Sequence, residues 1–255
     1  MLLLITDTSG KDGFVGLART AESSEKTEVI EEVPLTGGTF SAQLVPQISG
    51  LLEKHNLRKT DIDAFVVVSG PGSFTGLRVG LAAIKALAEI LEKPIVPVSL
   101  LEVLAPFSHM IASGHDEANR PATFPYAVAL DAGRGEAFVG RYEVAISAEE
   151  NASFKNISES LLPLDSLADL LESGTALWIA TPDQTVFDAL GERLPESLRS
   201  RIRRSLRRPR SEEVARIGWQ KLIAGETTSP EQLDANYIRR TDAEIFSKPV
   251  SSPNS

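Results

Sequence analysis

An α/β fold built as two related lobes is what this sequence predicts, and three observations predict it. The first is the apolar, β-branched run Ala64–Val68, which leads through the glycine-rich stretch Ser69–Gly80 into a helical pattern from Thr75 to Leu91. The second is the order of elements around it: strand-like runs at the N-terminus, followed by helices and strands in alternation. The third is a repeat. Residues 127–140 read Ala-Val-Ala-Leu-Asp-Ala-Gly-Arg-Gly-Glu-Ala-Phe-Val-Gly, and an offset of 124 lays Asp131 on Asp7 and Phe138-Val-Gly140 on Phe14-Val-Gly16.

In chain order, Leu2–Ile5 reads as a strand ending at Asp7-Thr-Ser-Gly10, and Lys11-Asp-Gly13 turns the chain into a second strand, Phe14–Ala18. Thr27–Val33 is a third, weaker strand. Leu44, Val45, Ile48, Leu51 and Leu52 have helical spacing and predict a helix over Ser41–His55, with Pro46 tolerated if that helix starts late. Gly70, Pro71 and Gly72 break the central strand, and Ser73 or Thr75 can cap the helix that follows. Ile95–Val98 completes the first lobe. From Pro106 to Pro125 the pattern dissolves into Ser, Gly, Asn and Pro, which predicts a boundary there. The expected organisation is a lobe over 1–105, a reduced second lobe over 106–246, and a disordered tail over 247–255. Within the second lobe, helices are expected over Leu164–Leu171, Gln184–Leu190 and Ser211–Ala224, and a strand over Ala176–Ala180.

Composition narrows the function classes. A net charge of −9 argues against a general binder of nucleic acid or acidic membranes. With no cysteine, disulfides, thiolate metal sites and cysteine nucleophiles are excluded. Met1-Leu-Leu-Leu-Ile5 is too short for a signal core, and nothing approaches the ~20 apolar residues of a membrane span, so a soluble cytoplasmic protein is expected.

Four sets of residues carry candidate chemistry. Asp7, Thr8 and Ser9, with Asp131, stand at strand ends before glycine-bearing turns, where carboxylates can position a metal–phosphate group or simply cap their own hairpins. Ser73 lies in a strand-to-helix turn, but Thr75 breaks the Gly-x-Ser-x-Gly pattern and capping is the better reading. His55, His109 and His115 lack the spacing of a metal site, so no metal is expected. The run Arg199–Arg210 is a basic edge in an acidic chain, with Arg201, Arg203, Arg204, Arg207 and Arg208 as candidate contacts to RNA phosphates. In the central helix, Gly76 and Gly80 lie one turn apart with Ala83 on the same face. A glycine there costs about 1 kcal/mol relative to alanine, so something must approach the backbone closely: the chain's own sheet or a partner helix.

These motifs resemble the bacterial TsaB (YeaZ) family. The resemblance is carried by Asp7-Thr-Ser9, by the run Gly70-Pro-Gly-Ser-Phe-Thr-Gly-Leu-Arg-Val-Gly80, by Asp131-Ala-x-x-Gly-Glu-Ala-Phe138, and by Asn236-Tyr-Ile-Arg239 near the end. It implies two ribonuclease-H-like lobes of the actin/hexokinase/Hsp70 type. It implies a non-catalytic subunit that binds and activates a TsaD-type transferase in N6-threonylcarbamoyladenosine modification of tRNA reading ANN codons. A TsaE-type ATPase is an implied partner, tRNA is reached through the complex, and the chain alone is expected to form a homodimer. No cofactor of its own is expected, although a nucleotide could lodge at the subunit junction. Gly37-Gly38, the one Gly-Gly pair, falls in the wrong lobe for an actin-like adenosine site.

The implied partner surface is the helix after the glycine turn together with the one before that strand. Its expected contacts are Leu44, Ile48, Leu51, Phe74, Gly76, Leu77, Gly80, Leu81, Ala83, Ile84 and Leu87. On that view Gly80→Trp abolishes complex formation and leaves the chain folded. The rival expectation is an ATPase or peptidase-like hydrolase using an inter-lobe cleft.

Overall fold

The computed structural model describes residues 1–21, 26–112, 123–146, 152–173, 177–204, 211–236 and 238. In the first lobe β1 (Leu2–Asp7), β2 (Asp12–Thr20), β3 (Thr27–Thr36), β4 (Ala64–Gly70) and β5 (Ile95–Ser99) form a sheet of order β3-β2-β1-β4-β5. β1, β2 and β3 are antiparallel neighbours, while β4 and β5 run parallel to β1 and are joined through helices. The second lobe holds β6 (Thr123–Gly133), β7 (Glu136–Ile146), β8 (Ala152–Pro163), β9 (Trp178–Thr181) and β10 (Ile202–Arg204) in the order β10-β9-β6-β7-β8. Its antiparallel trio β6-β7-β8 and parallel pairs β6-β9 and β9-β10 repeat the first sheet's plan.

Helices cover both sheets on both sides, giving five layers. α1 (Phe40–Lys54) and α2 (Phe74–Leu91) cover the outer face of the first sheet, where Leu4, Val15, Leu17, Phe65 and Val67 meet Leu44, Ile48, Leu77, Leu81 and Ile84. α4 (Leu164–Glu172) and α5 (Gln184–Arg193) cover the outer face of the second, on Ala127, Ala129, Val139 and Ile179. α3 (Leu100–Ala112) and α7 (Ser211–Ile223) fill the space between the sheets. One central core joins the lobes there: Leu3, Ile5 and Val66 from one sheet, Tyr126, Val128 and Leu130 from the other, and Leu101, Leu104, Val214 and Trp219 between them. Burying a side chain of this size stabilises the fold by about 1.5–3 kcal/mol. A short helix, α6 (Glu196–Arg199), precedes β10.

Several elements depart from the sequence reading. α3 runs through Pro106 and across the expected boundary at 105–106, because Leu100, Leu101, Val103, Leu104 and Ala105 are buried. β8 and β10 were not expected at all. α1 starts at Phe40, so Pro46 lies inside the helix; Ala42 and Pro46 are both exposed, so the carbonyl that loses its amide partner lies on the solvent side, where the loss costs least. Gly70 is the one residue of the glycine turn whose backbone demands glycine, with φ of +126° and the Asn236 carbonyl oxygen 3.1 Å from where a Cβ would stand. His115, Arg207, Arg208, Tyr237, Arg239 and the 247–255 tail lie outside the described residues, as does the side chain of His109.

Candidate functional site

α2 has two unlike sides. Its start is fixed by Ser73, whose side chain accepts a hydrogen bond from the Gly76 amide at 3.3 Å, and the Ser73 amide donates to the Ser9 carbonyl oxygen at 2.7 Å. The loop after β1 therefore lies against the helix's first two turns. A Cβ on Gly76 would run into the Thr8 carbonyl oxygen, and one on Gly80 into the Thr8 side chain, with Thr8 Cβ and Cγ2 both at 3.2 Å. The glycines admit this chain's own loop. This corrects the expected partner ridge: Gly76, Leu77, Gly80, Leu81 and Ile84 of α2, and Leu44, Ile48 and Leu51 of α1, are buried in the outer core.

The opposite side of α2 is open and still apolar. Ala82, Ala86 and Ile90 are exposed, Ile90 by 78%, and Val79, Ala83 and Leu87 are half-buried beside them. α1 adds Ala42, Val45 (47% exposed) and Pro46. Phe74 is exposed at the helix start, with the Arg78 guanidinium 3.6 Å over its ring. Of the expected contacts, Phe74, Ala83 and Leu87 thus stand where a neighbour could reach them. Val45, Ala82, Ala86 and Ile90 were missed. The signal for them was α2's composition, FTGLRVGLAAIKALAEIL, apolar nearly all round on a helix with only one sheet face to cover.

At one end of this face the starts of α1 and α2 converge on a hollow of about 470 Å³, lined by Gly10, Lys11, Gly37, Gly38, Ser41, Ser73 and Thr75. Neither helix has an acidic residue in its first turn, and α1 has no side-chain cap hydrogen bond, so no first-turn carboxylate offsets the positive end of either helix dipole there. At the other end of α1, Glu31 binds Lys54 at 2.6 Å and His55 at 2.8 Å, and these two hydrogen bonds hold its carboxyl below the usual glutamate range.

The two strand-end aspartates do not meet in a cleft. Asp7 is 8% exposed and accepts from the Ser9 amide at 2.8 Å and the Ser9 hydroxyl at 2.6 Å; Thr8 and Ser9 are buried with it. Asp131 is exposed, accepts from the Gly133 amide and the Thr185 hydroxyl, each at 2.7 Å, and its own amide donates to Asp183. Register explains the divergence. Gly16 pairs with Ile5, but its counterpart Gly140 pairs with Val128 rather than with Ala129, one residue away. Both returning strands keep Phe toward the central core and Val toward an outer one, while the strand before the turn slips by one. A one-residue slip exchanges faces. Ile5, two before Asp7, is in the central core; Ala129, two before Asp131, is in the outer core, and Asp131 finds its partner on the outer helix α5. Each carboxylate serves its own turn, and the hydrolase or ATPase reading is not favoured.

The arginine run divides. Arg203 is half-buried over the Trp178 ring, 5.4 Å from its centroid, and burial lowers its pKa from the usual guanidinium range. Arg201 is half-buried and Arg204 exposed, both at the edge strand β10 and its approach. Among the described residues no group of three or more His, Asp or Glu is placed to hold a metal ion, and no helix is long and apolar enough to cross a membrane.

The family model described as TsaD, tRNA N6-adenosine threonylcarbamoyltransferase, matches residues 34–171, a little over half of the chain. The tRNA threonylcarbamoyladenosine biosynthesis protein TsaB of Bacillus subtilis (strain 168) is 28% identical over 251 residues, covering 96% of each chain. The chain belongs to the TsaB (YeaZ) family. The TsaB of Escherichia coli (strain K12) is 26% identical over 209 residues, 79% of this chain and 81% of that one. YeaZ from Pseudomonas aeruginosa superposes with a TM-score of 0.68 at 24% identity, over 92% of this chain and 99% of that one, and so shares the fold. The matched residues include both α1 and α2.

Proposed function

We propose that this chain is the non-catalytic subunit that binds and activates a TsaD-type transferase in threonylcarbamoylation of tRNA, docking through the outer face of α1 and α2. The observation that carries the reading is that face itself: Val45, Val79, Ala82, Ala83, Ala86 and Ile90 form a small-residue apolar surface that this chain leaves uncovered. Small residues at the crossing allow helices to pack at about 8–10 Å. A TsaD-type partner bearing a related helical pair supplies a matching surface, so the two can associate about a pseudo-twofold axis. Membership of the TsaB family supports the pathway, tRNA threonylcarbamoyladenosine biosynthesis. A TsaE-type ATPase and tRNA join through the complex, with Arg201, Arg203 and Arg204 as this chain's candidate phosphate contacts. Without the partner the same face closes a homodimer.

The test is Ala82→Arg with Ala86→Arg. Both positions are exposed, so melting is expected to be unchanged. Co-purification with the TsaD-type partner, and formation of modified tRNA by the reconstituted mixture, are expected to be lost. A complex that survives two arginines on this face overturns the reading.

A further inference from the structure

After α7 the chain turns back and wraps the free edge of the first sheet. The Thr228 amide donates to the Ile95 carbonyl oxygen of β5 at 2.8 Å. Leu233 and Ala235 then enter the outer core that Leu77 and Leu81 of α2 also occupy. The Asn236 amide donates to the Ser69 carbonyl oxygen near the end of β4 at 2.7 Å, and Ile238 packs against the central core. Residues 228–236 thus pass from the outer side of the sheet round the end of β4, and Ile238 lies against the core on its inner side.

One side chain of the second lobe holds this segment. Glu159, on β8, accepts from Asn236 Nδ2 at 2.7 Å with one oxygen and from the Ser99 hydroxyl at 2.6 Å with the other. Ser99 is the last residue of β5, where the chain leaves the first sheet for α3, and its oxygen also accepts from the Leu101 amide at 3.2 Å. A single half-buried carboxylate therefore binds the crossing point to the second lobe and the C-terminal segment together. Hydrogen bonds to an ionised acceptor are the strong ones, and both here are short.

We infer that Glu159 and Asn236 form a latch that fixes the angle between the two lobes, with residues 228–236 as its strap. Hinge or shear motion about connecting segments is one way two lobes can change the angle between them. Here the shared central core resists separation, and the latch resists rotation at the rim. The inference concerns the chain alone and does not depend on the proposed partner.

Because the protein has no cysteine, two can be placed at will for spin labels: Glu53→Cys on α1 and Glu172→Cys on α4, both exposed and one in each lobe. The full-length parent is expected to give a single narrow distance distribution by double electron–electron resonance. Asn236→Asp sets one carboxylate against another and is expected to broaden it. Adding Glu159→Gln, whose amide can donate to the new carboxylate, is expected to restore the narrow distribution. Ser99→Ala, which removes the bond to Glu159 together with the one accepted from the Leu101 amide but leaves Asn236 on Glu159, is expected to broaden it less, and it remains readable if Asn236→Asp melts too low to measure. The latch is overturned if Asn236→Asp and Ser99→Ala both leave the distribution narrow. It is equally overturned if Glu159→Gln fails to rescue Asn236→Asp, since the broadening then comes from elsewhere in the strap.

Discussion

The hairpins that open the two lobes share a pattern and differ by one residue of register. In the first, Asp7 is buried and tied to Ser9, and Thr8 beside it lies against Gly76 and Gly80 of α2. In the second, Asp131 stands in the open, tied to Thr185 and the Gly133 amide. The slip removed one aspartate from the space that a symmetric pair would share. A duplicated motif can therefore persist as a turn-former while its paired arrangement is lost, and the lobes are then free to specialise: one presents a helical face, the other braces it.

The largest test of this contrast is Gly80→Val. A branched side chain there meets Thr8 where no space exists, and a loss of about 3 kcal/mol or more is expected in urea unfolding. The expectation that Gly80→Trp would spare the fold is replaced by this one. A fully stable Gly80→Val would show that the seal over Thr8 is loose and restore the glycines to the list of partner contacts. Next, Asp7→Ala strands a buried hydroxyl and amide of Ser9 and should cost about 2 kcal/mol, whereas Asp131→Ala, whose donors turn to water, should cost less than about 1 kcal/mol. Equal losses would erase the asymmetry between the hairpins.

The counterpart glycines sharpen it further. A Cβ on Gly140 would stand 2.8 Å from the Tyr142 hydroxyl oxygen and 3.0 Å from Leu101 Cβ, while on Gly16 the nearest atom is Ser211 Cβ at 3.2 Å. Gly140→Ala is expected to cost about 2 kcal/mol and Gly16→Ala about 1 kcal/mol, read from melting of each variant.

The smallest effect probes the layer between the lobes. Burial opposes charge on Lys221 of α7, but Glu102 of α3, 3.1 Å away, and Glu226 outweigh it and raise the ammonium above the usual lysine range. A raised pKa contributes stability that is fully present below the unfolded value of 10.5 and is lost as pH rises through the folded one. Lys221→Met should lower stability by about 1 kcal/mol at neutral pH, with the gap to the parent closing in alkali. A gap that persists in strong alkali would assign the loss to packing.

Much of this molecule was legible because its signals are local. Ser73 caps α2 as a strand-to-helix turn requires, and the paired Phe-Val-Gly strands lie where the repeat put them. What was hidden depends on distant partners. Pro106 masked α3, whose apolar residues only make sense between two sheets. β8 is an edge strand with Ser153, Lys155, Asn156 and Ile157 exposed, so it lacks the alternation that marks a half-buried strand. β10 is three residues long inside an arginine run. At the candidate site the helices were legible but not their outward sides: Leu44, Ile48, Leu77 and Leu81 mark the buried stripe, while Ala82, Ala86 and Ile90 read as more of the same. The one-residue slip that separated Asp7 from Asp131 is invisible to any alignment of the two motifs.

The strap sets an order of assembly. Leu233 and Ala235 complete a core whose other members all come from residues 2–95, and Thr228 covers β5, the strand otherwise left bare. During synthesis the N-terminal lobe therefore keeps an open edge and a gap beside α2 until residues 228–235 have left the ribosome. The half of the protein made first is the half finished last.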